Sequence, residues 1–207
     1  MDASTVIWYN QTNIIESELF DMRKWISLLL AIAFLTFLPA ALAQEIVTKQ
    51  ELSSEQPTSG FEGLYINEVM ASNQEYFTTS YGTTPDWIEL YNSTDADMDL
   101  SGLWLSDSKK VLNKFIFPQG TLLKAKGFLV VYASGVDGVM EGDLHAAFKL
   151  SADGESVSIY NEGVRVDALR YGAQTPDISY ARNDEGKFEY TSTPTIGEPN
   201  VITPPEA

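Results

Sequence analysis

Asp86-Trp87-Ile88-Glu89-Leu90-Tyr91-Asn92 decides the fold. Strand side chains alternate between faces, so Ile88 and Leu90 face one side and Trp87, Glu89 and Tyr91 the other. The polar turn from Ser93 to Gly102 closes the run. Upstream, Leu64 to Met70 has the same strand character, separated from Asp86 by the polar loop Ala71 to Pro85. Downstream the rhythm repeats. Leu103 to Asp107 and Lys114 to Phe117 are strand-like, and Pro118-Gln119-Gly120 stops the second. Gly127 to Ala133 is continuously apolar, as a strand buried on both faces would be. A Gly-rich loop, Ser134 to Asp143, leads to Leu144–Leu150. Ser156 to Tyr160 and Val164 to Ala168 alternate around Asn161-Glu162-Gly163 and predict a hairpin. Val157 and Ile159 would share one face of their strand, and Val164, Val166 and Ala168 one face of theirs. Ile178 to Arg182 and Phe188 to Tyr190 are short late strands. About eight or nine close-spaced strands with no helix after Ala43 predict an all-β sandwich or barrel.

The N-terminal part differs. Residues 1–21 are polar and without period. Met22-Arg23-Lys24-Trp25 then precedes an apolar run, Ile26 to Ala43, ending in Ala41-Leu42-Ala43. A basic flank, an apolar helix and a small-residue end are the parts of a secretory signal. Residues 22–43 are therefore expected to be a signal peptide or, if uncleaved, a membrane anchor. In the first case Met22 would be the natural start. An 18-residue run sits at the lower edge of what crosses a bilayer core of about 30 Å. Either way Arg23 and Lys24 hold the N-terminal flank inside and send the remainder across. Residues 44–63 form a breaker-rich linker, 64–200 the β domain and 201–207 a C-terminal tail. Secretion, the periplasm or the cell surface is the expected location.

Charge and cysteine content exclude whole classes. The 207 residues carry 29 acidic and 13 basic side chains, a net charge of −16. Affinity for nucleic acid rests on Lys and Arg meeting phosphates, so this chain is a poor nucleic-acid binder. The absence of cysteine removes disulfides, thiolate metal sites and a Cys nucleophile.

The strand motifs together resemble a known family. Ile66-Asn67-Glu68-Val69, Asp86 to Asn92, Asp99 to Asp107, Phe117 to Thr121, Leu144 to Glu155 and Thr193-Pro194-Thr195-Ile196-Gly197 are similar, in that order, to the lamin tail domain in its bacterial form. The resemblance spans about Leu64 to Asn200. It implies an immunoglobulin-like β-sandwich, and binding or scaffolding rather than chemistry. It supplies no catalytic residues. The coiled-coil rod of lamins is missing here.

Candidate sites each have a plain structural counterpart. His145 is the sole histidine, so the usual zinc sites cannot be assembled. A Ser-His-Asp triad is arithmetically possible, but no Gly-x-Ser-x-Gly elbow is present, and a packed structural histidine is the expectation. Asp95, Asp97 and Asp99 alternate as calcium ligands can, yet Leu100 and Ser106 stand where an EF-hand needs Gly and Glu. A solvated turn is the expectation there. Asp153-Gly154-Glu155 also reads as a turn. Glu68, Asp86 and Glu89 could supply a glycosidase carboxylate pair, but are expected at strand edges with surface roles. Trp87, Tyr91, Trp104 and Phe128 are expected in the core, leaving Tyr76, Phe77 and Tyr81 as loop aromatics for ligand contact.

The expected function is a non-catalytic exported interaction module for a protein or extracellular polymer, with no catalytic, cofactor or metal residues assigned. A calcium- or carbohydrate-binding adhesion domain and a small secreted hydrolase are the alternatives.

Overall fold

The computed structural model describes residues 59–206. The expected signal or anchor, residues 22–43, and most of the linker lie outside them. Among the described residues no helix occurs, and thirteen strands form. They are β1 (Leu64–Met70), β2 (Asp86–Asn92), β3 (Met98–Asp99), β4 (Trp104–Ser106), β5 (Phe115–Ile116), β6 (Leu122–Leu123), β7 (Phe128–Ala133), β8 (Gly138–Met140), β9 (Asp143–His145), β10 (Ser156–Asn161), β11 (Val164–Arg170), β12 (Ser179–Arg182) and β13 (Phe188–Thr191). A seven-stranded sheet runs β13-β12-β1-β2-β7-β9-β8, and a four-stranded sheet runs β11-β10-β4-β5. β3 and β6 pair separately.

The two large sheets enclose one apolar core. Ile66, Val69, Ile88, Leu90 and Val131 come from the first sheet; Leu105, Phe115, Val157, Ile159 and Leu169 come from the second. Truncating such a fully buried Leu or Ile to Ala typically costs about 2–5 kcal/mol. β2 lies between β1 and β7 and is covered on both faces. Ile88 and Leu90 enter this core, while Trp87 packs with Met70 and Tyr132 on the opposite face.

Several expectations are corrected. Thirteen strands stand against the eight or nine expected, and β3, β6 and β8, each only two or three residues long, match none of the expected runs. Too few residues alternate there to leave a period in the sequence. The strand expected over 144–150 stops at His145. β7 is fully buried only from Val131 onward. In the hairpin, Ile159 pairs with Asp167 and Tyr160 with Arg165, so Val166 is an extra residue. This bulge reverses the alternation: Ala168 is exposed and Leu169 buried. Residues 59–63, expected in the linker, are docked, with Phe61 against the core and the Asn161 amide donating to the Ser59 carbonyl.

Two hairpins turn on Glu-Gly. Glu141 and Gly142 join β8 to β9, and Glu162 and Gly163 join β10 to β11. All four residues have positive φ, as a two-residue turn matching strand twist requires. Gly154 is demanded for a different reason. Its φ is +99°, and an added Cβ would lie 2.7 Å from the Tyr171 carbonyl oxygen.

Candidate functional site

The centre of the molecule's polar chemistry is a carboxylate pair that a bulge creates. β1 pairs with β2 in register Ile66↔Leu90 and then Glu68↔Glu89, leaving Asn67 as the extra residue. Ile66 and Val69 thereby keep to the core, and Glu68 stands directly across from Glu89 on the other face. Both glutamates have no solvent exposure. The surface role expected for them is wrong, because the C-terminal segment from Thr193 to Asn200 closes over them.

That segment supplies donors. The Glu68 carboxylate accepts from the Thr195 amide (3.1 Å), the Thr195 hydroxyl (3.0 Å) and the Ser179 hydroxyl. Glu89 accepts from the Gly197 amide at 2.6 Å and from Asn67 Nδ2 at 2.8 Å. Asn200 fixes the amide orientations. Its Nδ2 donates to the main-chain carbonyls of Arg182 (2.8 Å) and Asn67 (3.2 Å), so its Oδ1 must face Asn67 Nδ2 at 2.9 Å. Asn67 Nδ2 is thus turned to both Asn200 and Glu89. Ile196 packs against the Met70, Trp87 and Tyr132 cluster between the two amide donors. Burial is the main cause that lifts Glu68 to about 7, opposed by Ser179 and Thr195. Burial also lifts Glu89 to about 8, opposed by Gly197 and Asn67, with the charges of Glu68 and Glu198 adding. Donors hold the pair from several sides, and no exposed carboxylate oxygen is left to meet a substrate.

A second cluster surrounds His145. The histidine is buried, with the Tyr81 hydroxyl 2.6 Å from Nε2 and the Ser134 hydroxyl 2.9 Å from Nδ1. Burial holds its pKa below the ordinary histidine value, with the charge of Asp143 opposing. These residues line an open cavity of about 340 Å³ together with Pro85, Asp86, Val136, Met140 and Lys149. Ser134 and His145 do come together, but the far ring nitrogen meets a phenol where a triad needs a carboxylate. Asp86 instead accepts the Asn73 amide at 3.0 Å. Sequence spacing could not reveal Ser134 as the partner of His145, because the parallel pairing of β7 with β9 brings them together.

The three aspartates of the first turn diverge. Asp95 meets Lys126 at 3.1 Å. Asp97 accepts from Lys124 Nζ and the Ala125 amide, and Asp99 from Ser101. Among the described residues no three carboxylate or histidine groups converge in a metal-like cluster. Glu155, in the turn beside Gly154, accepts from the Ser151 amide and the Tyr171 hydroxyl.

The aromatics sort differently from expectation. Trp87 is core, Trp104 is half-buried, and Phe77 packs flat against Tyr132. Tyr91 and Phe128 are not core residues. With Tyr65 they form a row on adjacent strands β1, β2 and β7, on the face that carries the glutamates. The row lines a groove of about 510 Å³ with Asn67, Lys126, Arg182 and Asn200. Arg182 lies 5.2 Å over the Tyr65 ring and 4.4 Å over that of Phe188. It also pairs with Asp167 at 3.0 Å, and the two side chains serve the backbone of Ile66: Asp167 accepts its N–H at 2.8 Å, and Arg182 donates to its carbonyl at 3.2 Å. The ion pair takes the place of a neighbouring strand beside the bulge.

The described residues form an all-β domain whose buried carboxylates are bonded to the protein's own donors. The chain belongs to the lamin tail domain family, whose model matches residues 57–173. No curated protein matches it. The matched range ends before β12, β13 and the closing segment that supplies Ser179, Thr195, Gly197 and Asn200 to the glutamates.

Proposed function

We propose that this chain is a non-catalytic interaction module, exported from the cytoplasm, that binds a protein or an extracellular polymer. One observation carries the non-catalytic reading: Glu68 and Glu89, its nearest approach to a catalytic carboxylate pair, have no solvent exposure and are bonded to the protein's own donors. A glycosidase needs its carboxylates on either side of a cleft that admits substrate. Family membership supports binding over chemistry. The Ile26–Ala43 run behind Arg23 and Lys24 supports export. The test is purification of the exported chain and assay against ester, glycoside and phosphodiester substrates alongside direct binding measurements. Saturable binding with no turnover is expected. Turnover that disappears in Glu68→Gln and Glu89→Gln would overturn it.

A second reading, a small hydrolase, rests on the Ser134–His145 pair in its cavity. Turnover lost in Ser134→Ala, with folding intact, would favour it.

A further inference from the structure

The seven-stranded sheet has one covered edge and one open edge. At the covered end, β13 is flanked by the C-terminal tail: Ser192 N–H donates to the Thr203 carbonyl at 2.8 Å, and Thr191 Oγ1 accepts from Thr203 N–H at 2.9 Å. At the other end β8 pairs only with β9 among the described residues. An unpaired edge is a template for another strand, and proteins ordinarily blunt it. Here the edge strand is only three residues long, and exposed apolar side chains lie at it between and beside Asp137 and Glu141. Val136, Val139 and Met140, three large side chains within five positions, are 52%, 54% and 37% exposed. Gly138 has nothing within 4 Å of the position a Cβ would take, so no neighbouring side chain covers the strand there. The His145 cavity lies directly beside this edge, with Val136 and Met140 among its lining.

We propose that β8 is the docking edge for an extended, basic segment of a partner protein, which adds as a further strand and places an apolar side chain in the adjoining cavity. Strand addition draws affinity from main-chain hydrogen bonds and selectivity from a pocket for alternate side chains. Charge selects the occupant. Asp137, Glu141 and Asp143 lie within or beside the β8–β9 hairpin, against the single cation Lys149 in the cavity wall. A second copy of this chain added antiparallel at β8 would bring like-charged hairpins together, whereas Lys or Arg residues alternating with apolar ones would meet the acids. The proposal rests on the interaction-module reading and locates its surface.

The test uses the exported chain and three synthetic peptides: Lys-Val-Lys-Leu-Lys-Val-Lys, its counterpart with Glu for Lys, and the first peptide N-methylated at alternate amides. Amide chemical-shift mapping should place the basic peptide on residues 136–145. N-methylation should weaken it about tenfold or more, because it removes strand hydrogen bonds but keeps charge. The paired reversal Asp137→Lys with Glu141→Lys, at exposed positions, should weaken the basic peptide about tenfold and admit the acidic one. No binding of the basic peptide at about 1 mM would overturn the proposal. Equal binding of the N-methylated peptide, or a dimer joined through β8, would do the same. Binding mapped instead to the Tyr65–Tyr91–Phe128 groove would overturn docking at β8 while leaving the interaction-module reading intact.

Discussion

Glu68 and Glu89 stand opposite each other on adjacent strands, both without solvent exposure, and hydroxyl and amide donors hold them rather than cations. Two motifs that look independent in the chain, Asn67-Glu68 and Trp87-Ile88-Glu89, thereby depend on a third, Thr195-Ile196-Gly197. Closing the C-terminal segment over the sheet is what makes both buried carboxylates tolerable.

The pair sets a pH dependence whose sign follows from its burial. Burial raises Glu68 from 4.5 to about 7 and Glu89 to about 8. An unfolded chain releases these protons near 4.5, while the folded chain keeps them until about 7 and 8. Their stabilising contribution is full below 4.5 and is lost as pH rises through 7 and 8. A tenfold difference in proton affinity between the folded and unfolded chain is worth about 1.4 kcal/mol. Asp97, Asp99 and Asp177 have lowered values, and their contributions are lost only in acid, as pH falls through those values, while the lowered His145 opposes the two glutamates as a single group. A thermal midpoint several degrees higher at about pH 5 than at about pH 8.5 is expected by calorimetry. A midpoint that rises over that interval would contradict the assignment.

The two glutamates should respond differently to amide replacement. Glu68 meets the hydroxyls of Ser179 and Thr195, which can accept as readily as donate, so Glu68→Gln keeps its bonds and flattens the pH profile. Glu89 meets only N–H groups, Asn67 Nδ2 and Gly197 N, and Asn200 holds the first from flipping. Glu89→Gln turns an amide donor toward a donor and should cost about 1–3 kcal/mol in urea unfolding. Equal effects of the two changes would show that the donor pattern is misread.

Asp167 and Arg182 serve the main chain at Ile66 as well as each other. Asp167→Ala leaves the Ile66 N–H and Arg182 Nη2 without their acceptor, while Nε and Nη1 keep the Ile66 and Gly186 carbonyls. The pair is about one-fifth exposed, so the loss should be about 1–3 kcal/mol. Faster hydrogen exchange at Ile66 than at Val69 in the variant is the local signature.

Glu162 holds φ +47° in the β10–β11 turn, a conformation Asn accepts more easily than Glu. Glu162→Asn should therefore stabilise the domain by about 0.5–1 kcal/mol, read as a shifted urea midpoint at constant slope.

Much of the fold was legible because its longer strands are apolar runs closed by Gly, Pro, Asn and Asp turns. Leu64–Met70 and Asp86–Asn92 could be bounded to the residue, as could the turn at Gly163. Bulges were not legible. The extra residues Asn67 and Val166 invert the alternation after them, and no composition marks them. That is why Ala168 read as sharing a face with Val164 and Val166, whereas Glu68 read as a surface acid because the segment that covers it is remote in sequence. The motifs of the closing segment were visible, but not the face they cover, since the contacts of Thr195 with Glu68 span 127 residues. The His145 cluster was hidden likewise: Tyr81 lies 64 residues before the histidine, and no local pattern joins them.

The most direct measurement is native-state hydrogen exchange at the Thr195 and Gly197 amides. Both donate to fully buried carboxylates, so both should be protected to a degree comparable with the β1–β2 ladder, although Gly197 itself is exposed. Exchange at both amides as fast as in an unstructured tail would contradict a sealed, structural glutamate pair and return Glu68 and Glu89 to solvent as candidates for chemistry.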